Sequence, residues 1–361
     1  MSRPARAIVD LDALRHNYQL AQSLAPNARA LGVVKANAYG HGAVAAAQAL
    51  EPLVPAFAVA CMEEALELRA AGLQKPILLL EGAFTADEIE TAAAHNCWLM
   101  VSNREQAEEM VNARPSDPLH LWLKADTGMH RLGLTPQQVP ELYRRLQALP
   151  HVQGPIVVAT HFAVADEPEL DFTRQQIECL QQINRDLQAP LSLANSAGIL
   201  AWPGSHAQYT RPGIMLYGSS PFATPHPLAA HLQAVMTLES KVIDLHQVAA
   251  GESVGYGRRW IAQKDSIIAT VAIGYGDGYP RHAPDGTPVL VNGQRCPLAG
   301  RVSMDMITVD VSLLPSVSVG DAVELWGKQL PINEVAASAG TISYELVTRM
   351  PLRATRHYLH R

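Results

Sequence analysis

The chain has 361 residues, 48% apolar and 17% charged, with a net charge of −6; this suits a packed globular protein of two unequal domains and is unlike disordered chains. No Lys/Arg-rich run is present to neutralise a row of phosphates, which argues against nucleic acid and for a small-molecule ligand. No stretch approaches the roughly 20 apolar residues of a membrane span, and MSRPARAIVDLD lacks the apolar run and cleavage site of a signal peptide, so a cytoplasmic location is expected with no membrane partner.

In chain order, short apolar runs alternate with helical patterns at Leu31–Val34, Phe57–Ala60, Ile77–Leu80, Trp98–Val101, Leu121–Leu123, Ile156–Thr160, Leu191–Leu193 and, more weakly, Ala207–Thr210. Such alternation marks βα units and a parallel sheet, and eight units predict a TIM (β/α)8 barrel, an open doubly wound sheet being the alternative. Thr85 with Glu88 and Ser102 with Glu105 read as capping boxes, and Thr135–Pro136 as a cap followed by proline. After the proline-rich SSPFATPHPLAAH the pattern changes to alternating strands. Residues 1–228 are therefore expected to form the barrel and 229–361 a mostly β domain, with residues 1–10 available to pair with the latter. Pro288–Val291 followed by Asn292–Gly293 predicts a hairpin with a type I′ turn, and MITVDVS and AVELWG further strands. Cys61, Cys97, Cys179 and Cys296 are widely spaced, with no metal-ligand pattern, and read as reduced thiols.

Functional residues of such barrels stand where strands end. There the chain places Lys35 in VVKANAYGHG, Lys124 in LWLKADTGMHRLG, His161, the pair Asn195-Ser196, and Arg211 in TRPGI. Two lysines and an arginine at one mouth suit an anionic ligand, and a lysine leaving a buried strand is a candidate Schiff-base former because desolvation lowers its pKa. Gly213 and Ile214 would offer backbone N–H groups to a phosphate at the start of a short helix. Taken singly, each has an ordinary reading: a solvated strand-end lysine, a core histidine, a turn tyrosine at Tyr256, a packing methionine at Met304.

Together, VVKANAYGHG, KADTGMHRLG, Asn195-Ser196, RPGIMLYG, GYG at 255–257, GYGDGYPR at 274–281 and GRVSMD at 300–305 resemble the signature stretches of bacterial alanine racemases, enzymes of the fold-type III pyridoxal-phosphate class. The resemblance runs in order through nearly the whole chain. It implies a pyridoxal 5'-phosphate isomerase acting on L- and D-alanine through a cofactor–substrate Schiff base. Lys35 would carry the cofactor and serve as one proton-transfer base, with Tyr256 as the other on the opposite face. Tyr39, Ser196, Gly213, Ile214 and Tyr344 would hold the phosphate, beside Asn195. Arg211 would face the pyridine nitrogen with His161 bonded to it, and Arg131 would hold the cofactor phenolate and the substrate. Lys124 resembles a lysine often carbamylated in the family. Met304 would contact the substrate carboxylate through its backbone, supported by Asp305, and Asp166, Tyr275, Arg281 and Arg301 would narrow access. Two departures stand out, Asn37 where Asp is common and Ser343 where Pro is common.

Rival readings are a racemase for serine or lysine, a decarboxylase on the same plan, and a non-catalytic cofactor carrier. A decarboxylase is expected to lack a Tyr256-type base, and a single-barrel carrier to lack the β domain. The resemblance further implies a head-to-tail homodimer with Tyr256 and Met304 donated by the partner, and a role in D-alanine supply for the cell wall or in alanine breakdown.

Overall fold

The computed structural model describes residues 3–360; Met1 and Ser2, part of the stretch expected to join the β domain, and Arg361 lie outside the described residues. The apolar runs become short parallel strands, buried on both faces as βα units require. Phe57–Val59, Ile77–Leu79, Cys97–Val101, Leu121–Lys124, Val157–Ala159, Leu191–Ser192 and Tyr209–Thr210 are successive neighbours. The expected first strand is two pieces, Arg29–Ala30 paired with Tyr209–Thr210 and Gly32–Val33 paired with Phe57–Val59, so the nine-stranded sheet closes on itself at Leu31. Leu31 N–H donates to Thr210 O and Gly32 N–H to Ala56 O, which seals the seam. The barrel is borne out and the open sheet is excluded.

Helix starts differ from expectation in detail. Ser102 does not cap: Asn103 accepts from Gln106 N–H, and Gln106 Oε1 accepts from Ser102 N–H, so the box is shifted by one residue. Thr85 makes no cap at the helix Asp87–Ala94; instead Glu88 accepts from Phe84 N–H. Thr135 Oγ1 accepts from Gln138 N–H while Gln138 Oε1 accepts from Thr135 N–H, but the helix runs from Gln138, so Pro136 stands before it and not at its first position.

The second unit is an eight-stranded, mainly antiparallel sheet built on the long strand Met236–Val248, which pairs with Arg6–Asp10, Ala322–Trp326 and Ser266–Val271. Arg6–Asp10 thus lies between that strand and Thr355–Leu359, its parallel neighbour. The Pro288–Val291 hairpin forms with Gln294–Pro297. Its turn residues Asn292 and Gly293 sit at φ 51° and 75°, the positive values a type I′ turn demands. The four cysteines are free. Among the described residues no helix is long and apolar enough to cross a membrane.

The two units interlock. Asn333 Nδ2 donates to Ser220 O at 2.9 Å, and Arg356 Nε–H donates to Gly40 O at 2.9 Å. Ser343 is buried with its hydroxyl 2.6 Å from that of Ser219, a contact proline would forgo.

Candidate active site

Lys35 opens a turn with unusual backbone geometry: Ala36, Asn37, Ala38 and Tyr39 all have φ between 50° and 55°. Left-handed helical conformation costs roughly 1–2 kcal/mol for each residue with a Cβ, so four in a row persist only where surroundings impose them, as at functional sites. Glu64 supplies one clamp, accepting from Ala36 N–H at 2.6 Å and from Ala60 N–H at 2.8 Å. Asn37 supplies another, its Oδ1 accepting from Ala43 N–H at 2.7 Å, and asparagine tolerates this conformation better than most residues. His41 lies 3.0 Å from Ala38 O and 2.8 Å from Tyr39 O through Nδ1. The Asn37 departure therefore keeps the turn in place.

This turn delivers Lys35 to a cavity of about 660 Å³ at the carboxyl end of the barrel strands. Its lining brings together Lys35, Tyr39, Lys124, Arg131, His161, Asn195, Ser196, Arg211, Gly213, Ile214 and Tyr344, with Glu81 and Thr160 besides. Burial lowers the Lys35 pKa, Glu81 opposing and Arg131 assisting; a desolvated amine is more often neutral and nucleophilic. Burial, then Arg211 and other cations, holds His161 well below its usual value, so its ring is neutral. Arg211 is buried, its pKa pushed down to about 10 by desolvation. Its terminal nitrogens donate to Ser192 O (2.9 Å) and Oγ (2.5 Å), to Thr160 O (2.5 Å) and to Leu193 O (3.3 Å). The expected bond to His161 is not among them; backbone carbonyls at neighbouring strand ends take that capacity.

Burial, then the charges of Arg211, Arg131 and Lys35, lowers Lys124 from 10.5 to about 8. Between these values the unfolded chain holds a proton that the folded lysine has released, so the stability linked to Lys124 is full above 10.5 and is lost as pH falls towards 8. Denaturant midpoints of the ligand-free protein should therefore rise across this window less in Lys124→Met than in wild type. Equal slopes would place the amine in water.

Ser196 and the start of the turn Ile214–Tyr217 form a small cradle. The Ser196 hydroxyl accepts from Gly213 N–H at 2.9 Å and Met215 N–H at 3.2 Å. A Cβ at Gly213 would lie 2.5 Å from the Tyr39 hydroxyl, so only glycine leaves the cradle open. Tyr39 stacks on Tyr217 at 4.8 Å and lies 6.2 Å from Tyr344, which closes the cavity from the β domain.

The remaining expected residues lie elsewhere. Tyr256 is 72% exposed and lines a separate recess on the β domain with Arg301 and Ser303. Met304, Tyr275, Arg281 and Arg301 are also exposed, and Asp305 half-exposed. Asp166 is exposed on the barrel, where its charge acts on Tyr344. The β-domain segments are held by Asp277, which sequence reasoning missed. Fully buried, it accepts from Arg3 at 2.7 Å and Gly274 N–H at 3.0 Å, and pairs with Arg353 at 3.0 Å. Arg353 also bonds Asp305, and Tyr275 and Gly276 N–H donate to Ser303 O and Met304 O, so one carboxylate fixes both exposed loops. Asp277→Asn should cost about 2 kcal/mol of unfolding free energy, read from the denaturant midpoint; an unchanged midpoint would mean that the arginines do not depend on it.

Comparison with known proteins agrees across the whole chain. Residues 9–221 match the model for the alanine racemase N-terminal domain and 235–358 that for the alanine racemase C-terminal domain. Among relatives, an alanine racemase of Chromohalobacter salexigens is 52% identical, covering 99% of this chain and 98% of its own. A catabolic alanine racemase of Pseudomonas putida is 51% identical, covering 99% of both. Among solved structures, the biosynthetic alanine racemase of Pseudomonas aeruginosa aligns with TM-score 0.96 at 49% identity, over 99% of this chain and 100% of that one. The alanine racemase of Acinetobacter baumannii aligns with TM-score 0.93 at 38% identity, over 99% and 100%.

Proposed function

Because this chain belongs to the alanine racemase family, isomerases that depend on pyridoxal phosphate, we propose that it interconverts L- and D-alanine with Lys35 and Tyr256 as opposed proton carriers. The observation that carries this reading is the convergence of Lys35, Arg131, Arg211 and the Ser196–Gly213 cradle on one cavity. The residues fit the cofactor: a desolvated amine, a phosphate-sized recess that a Cβ at Gly213 would fill, and cations to balance a phosphate and a phenolate.

When bound, pyridoxal phosphate draws electrons from the substrate Cα–H bond and makes that hydrogen acidic enough to move. Ser196, Tyr39, Tyr344 and the Gly213 and Ile214 N–H groups hold the phosphate, with Asn195 alongside. Lys35 Nζ anchors the cofactor and handles the D-alanine proton, while Tyr256 Oη handles the L-alanine proton on the opposite face, since inversion needs one group on each side. With its terminal nitrogens held by strand-end carbonyls and Ser192 Oγ, Arg211 would face the ring nitrogen of the bound cofactor. A guanidinium that keeps its protons can only donate, so Arg211 would leave the ring nitrogen unprotonated and curb side reactions such as transamination. His161 lines the same cavity as Arg211 and stays a neutral ring. Arg131, at the rim, orients the phenolate and the substrate, and Lys124 is placed to carry a carbamate once neutral.

Tyr256 and Met304 reach the cavity from a second copy of the chain, in a homodimer with two shared sites. Their exposure in the single chain supports this arrangement. Met304 N–H then meets the substrate carboxylate, Asp305 steadies its loop, and Asp166, Tyr275, Arg281 and Arg301 narrow access. The enzyme works in the cytoplasm and serves D-alanine supply for the cell wall or alanine breakdown. Incubation with either enantiomer of alanine, followed by chiral chromatography, should end in equal amounts of both, with serine and lysine converted far more slowly. Conversion of no amino acid would overturn the proposal.

A further inference from the structure

A second cavity of about 490 Å³ lies between the barrel and the β domain and adjoins the Lys35 site, Ile214 lining both; its size is within the range of small-molecule pockets. Its wall is mostly apolar and aromatic, with Phe222 and His226 stacked at 4.4 Å. Three lining residues, His41, His226 and Trp326, each hold a buried ring nitrogen with no hydrogen-bond partner among the described residues. His41 is 1% exposed and Trp326 0%. Native proteins leave few such groups unmet, and each calls for a partner.

The chemistry of the partner follows from the donors and acceptors. His41 Nδ1 faces two carbonyl oxygens, Ala38 O and Tyr39 O, so it carries the proton and Nε2 is an acceptor. Burial keeps that ring neutral. Trp326 Nε1 can only donate. The charged side chains of the lining are already paired, Lys328 with Asp10 and Glu334 with Arg295. No net charge is left to satisfy. An occupant must therefore be neutral, must offer both a hydrogen-bond donor and an acceptor, and gains most from an aromatic body.

We propose that this interdomain cavity is a second small-molecule site, for a neutral aromatic compound bearing a hydroxyl or primary amide, and that its occupancy is transmitted to Lys35. The path is short and contiguous. His41 holds the carbonyls of the left-handed turn that begins at Lys35, and its ring stacks at 4.6 Å on Tyr217, which stacks in turn on Tyr39 of the phosphate cradle. A compound engaging His41 Nε2 touches the ring that stacks, through Tyr217, on Tyr39 in the wall of the Lys35 cavity.

The test uses the cofactor-loaded enzyme with benzamide, phenol and 4-hydroxybenzamide as probes. Ligand-observed NMR should show saturable binding of at least one probe that saturating alanine does not displace. Ala230→Trp places a bulky ring at the cavity mouth, far from the chemistry; it should weaken that binding at least tenfold with basal racemisation unchanged. His41→Asn, which keeps a donor near the Nδ1 position and removes the Nε2 acceptor, should weaken it as well. A saturating probe should also change the racemisation rate of wild type at least twofold while leaving Ala230→Trp unaffected. No saturable binding by any probe, or binding that alanine displaces and Ala230→Trp does not weaken, overturns the site. Saturable binding without a rate change overturns its link to Lys35.

Discussion

Lys35→Ala should slow racemisation by at least about 10³-fold, because it removes both the cofactor anchor and one proton carrier. The same variant should lose the visible absorbance of lysine-bound pyridoxal phosphate, and borohydride, which fixes the cofactor on the Lys35 peptide of wild type, should label nothing. Peptide mapping by mass spectrometry decides the matter. A label on Lys124 in the wild-type protein would show that the wrong amine has been assigned, since both lysines line the cavity and burial lowers both. The left-handed turn argues for Lys35, because strain of that kind is kept where a side chain must be aimed.

The second large effect is expected at Tyr256. Tyr256→Phe removes a proton-transfer group and almost no volume, so activity should fall about 10²- to 10⁴-fold while the cofactor spectrum stays intact. Loss of the spectrum would make Tyr256 structural instead. Mixing this variant with Lys35→Ala under conditions that exchange subunits tests where the tyrosine acts. Random exchange makes about half the dimers mixed, each with one complete site, so about a quarter of wild-type activity should return. Recovery of none, with mixed dimers verified by mass spectrometry, would put both groups in one chain and end the shared-site arrangement.

The barrel was readable because its strands are buried on both faces and appear as bare apolar runs such as FAV and ILL. Residues at strand ends were readable for the same reason: once the strands are counted, Lys35, Lys124, His161, Ser196 and Arg211 fall into place at one mouth. The residues that hold them were not. Glu64 sits in MEEALELRA, where an acid reads as a solvated helix face, and nothing local shows that it reaches back to Ala36 N–H. His41 sits between two glycines in a turn and gives no hint of its buried bonds. Asp277 lies in GYGDGYPR beside the more conspicuous Tyr275, and its partners Arg3 and Arg353 stand far from it in the sequence, Arg3 by 274 residues. Long-range polar contacts of this kind have no period and no spacing to betray them.

The strand Arg6–Asp10 leaves the barrel side of the chain to sit in the middle of the β sheet, between Met236–Val248 and Thr355–Leu359. In effect the barrel is inserted between the first two strands of the other domain. During synthesis the first of these strands emerges early and must wait for more than 200 residues before its antiparallel neighbour exists, and longer still for the parallel one. A fragment starting at residue 229 would be missing an interior strand and would present two unpaired edges, which invite aggregation. The barrel can close while the ribosome is still at work, whereas the eight-stranded sheet, whose strands Met236–Val248 and Ser266–Val271 flank the small hairpin that carries Tyr256, can be completed only after the last strand, Thr355–Leu359, has been made.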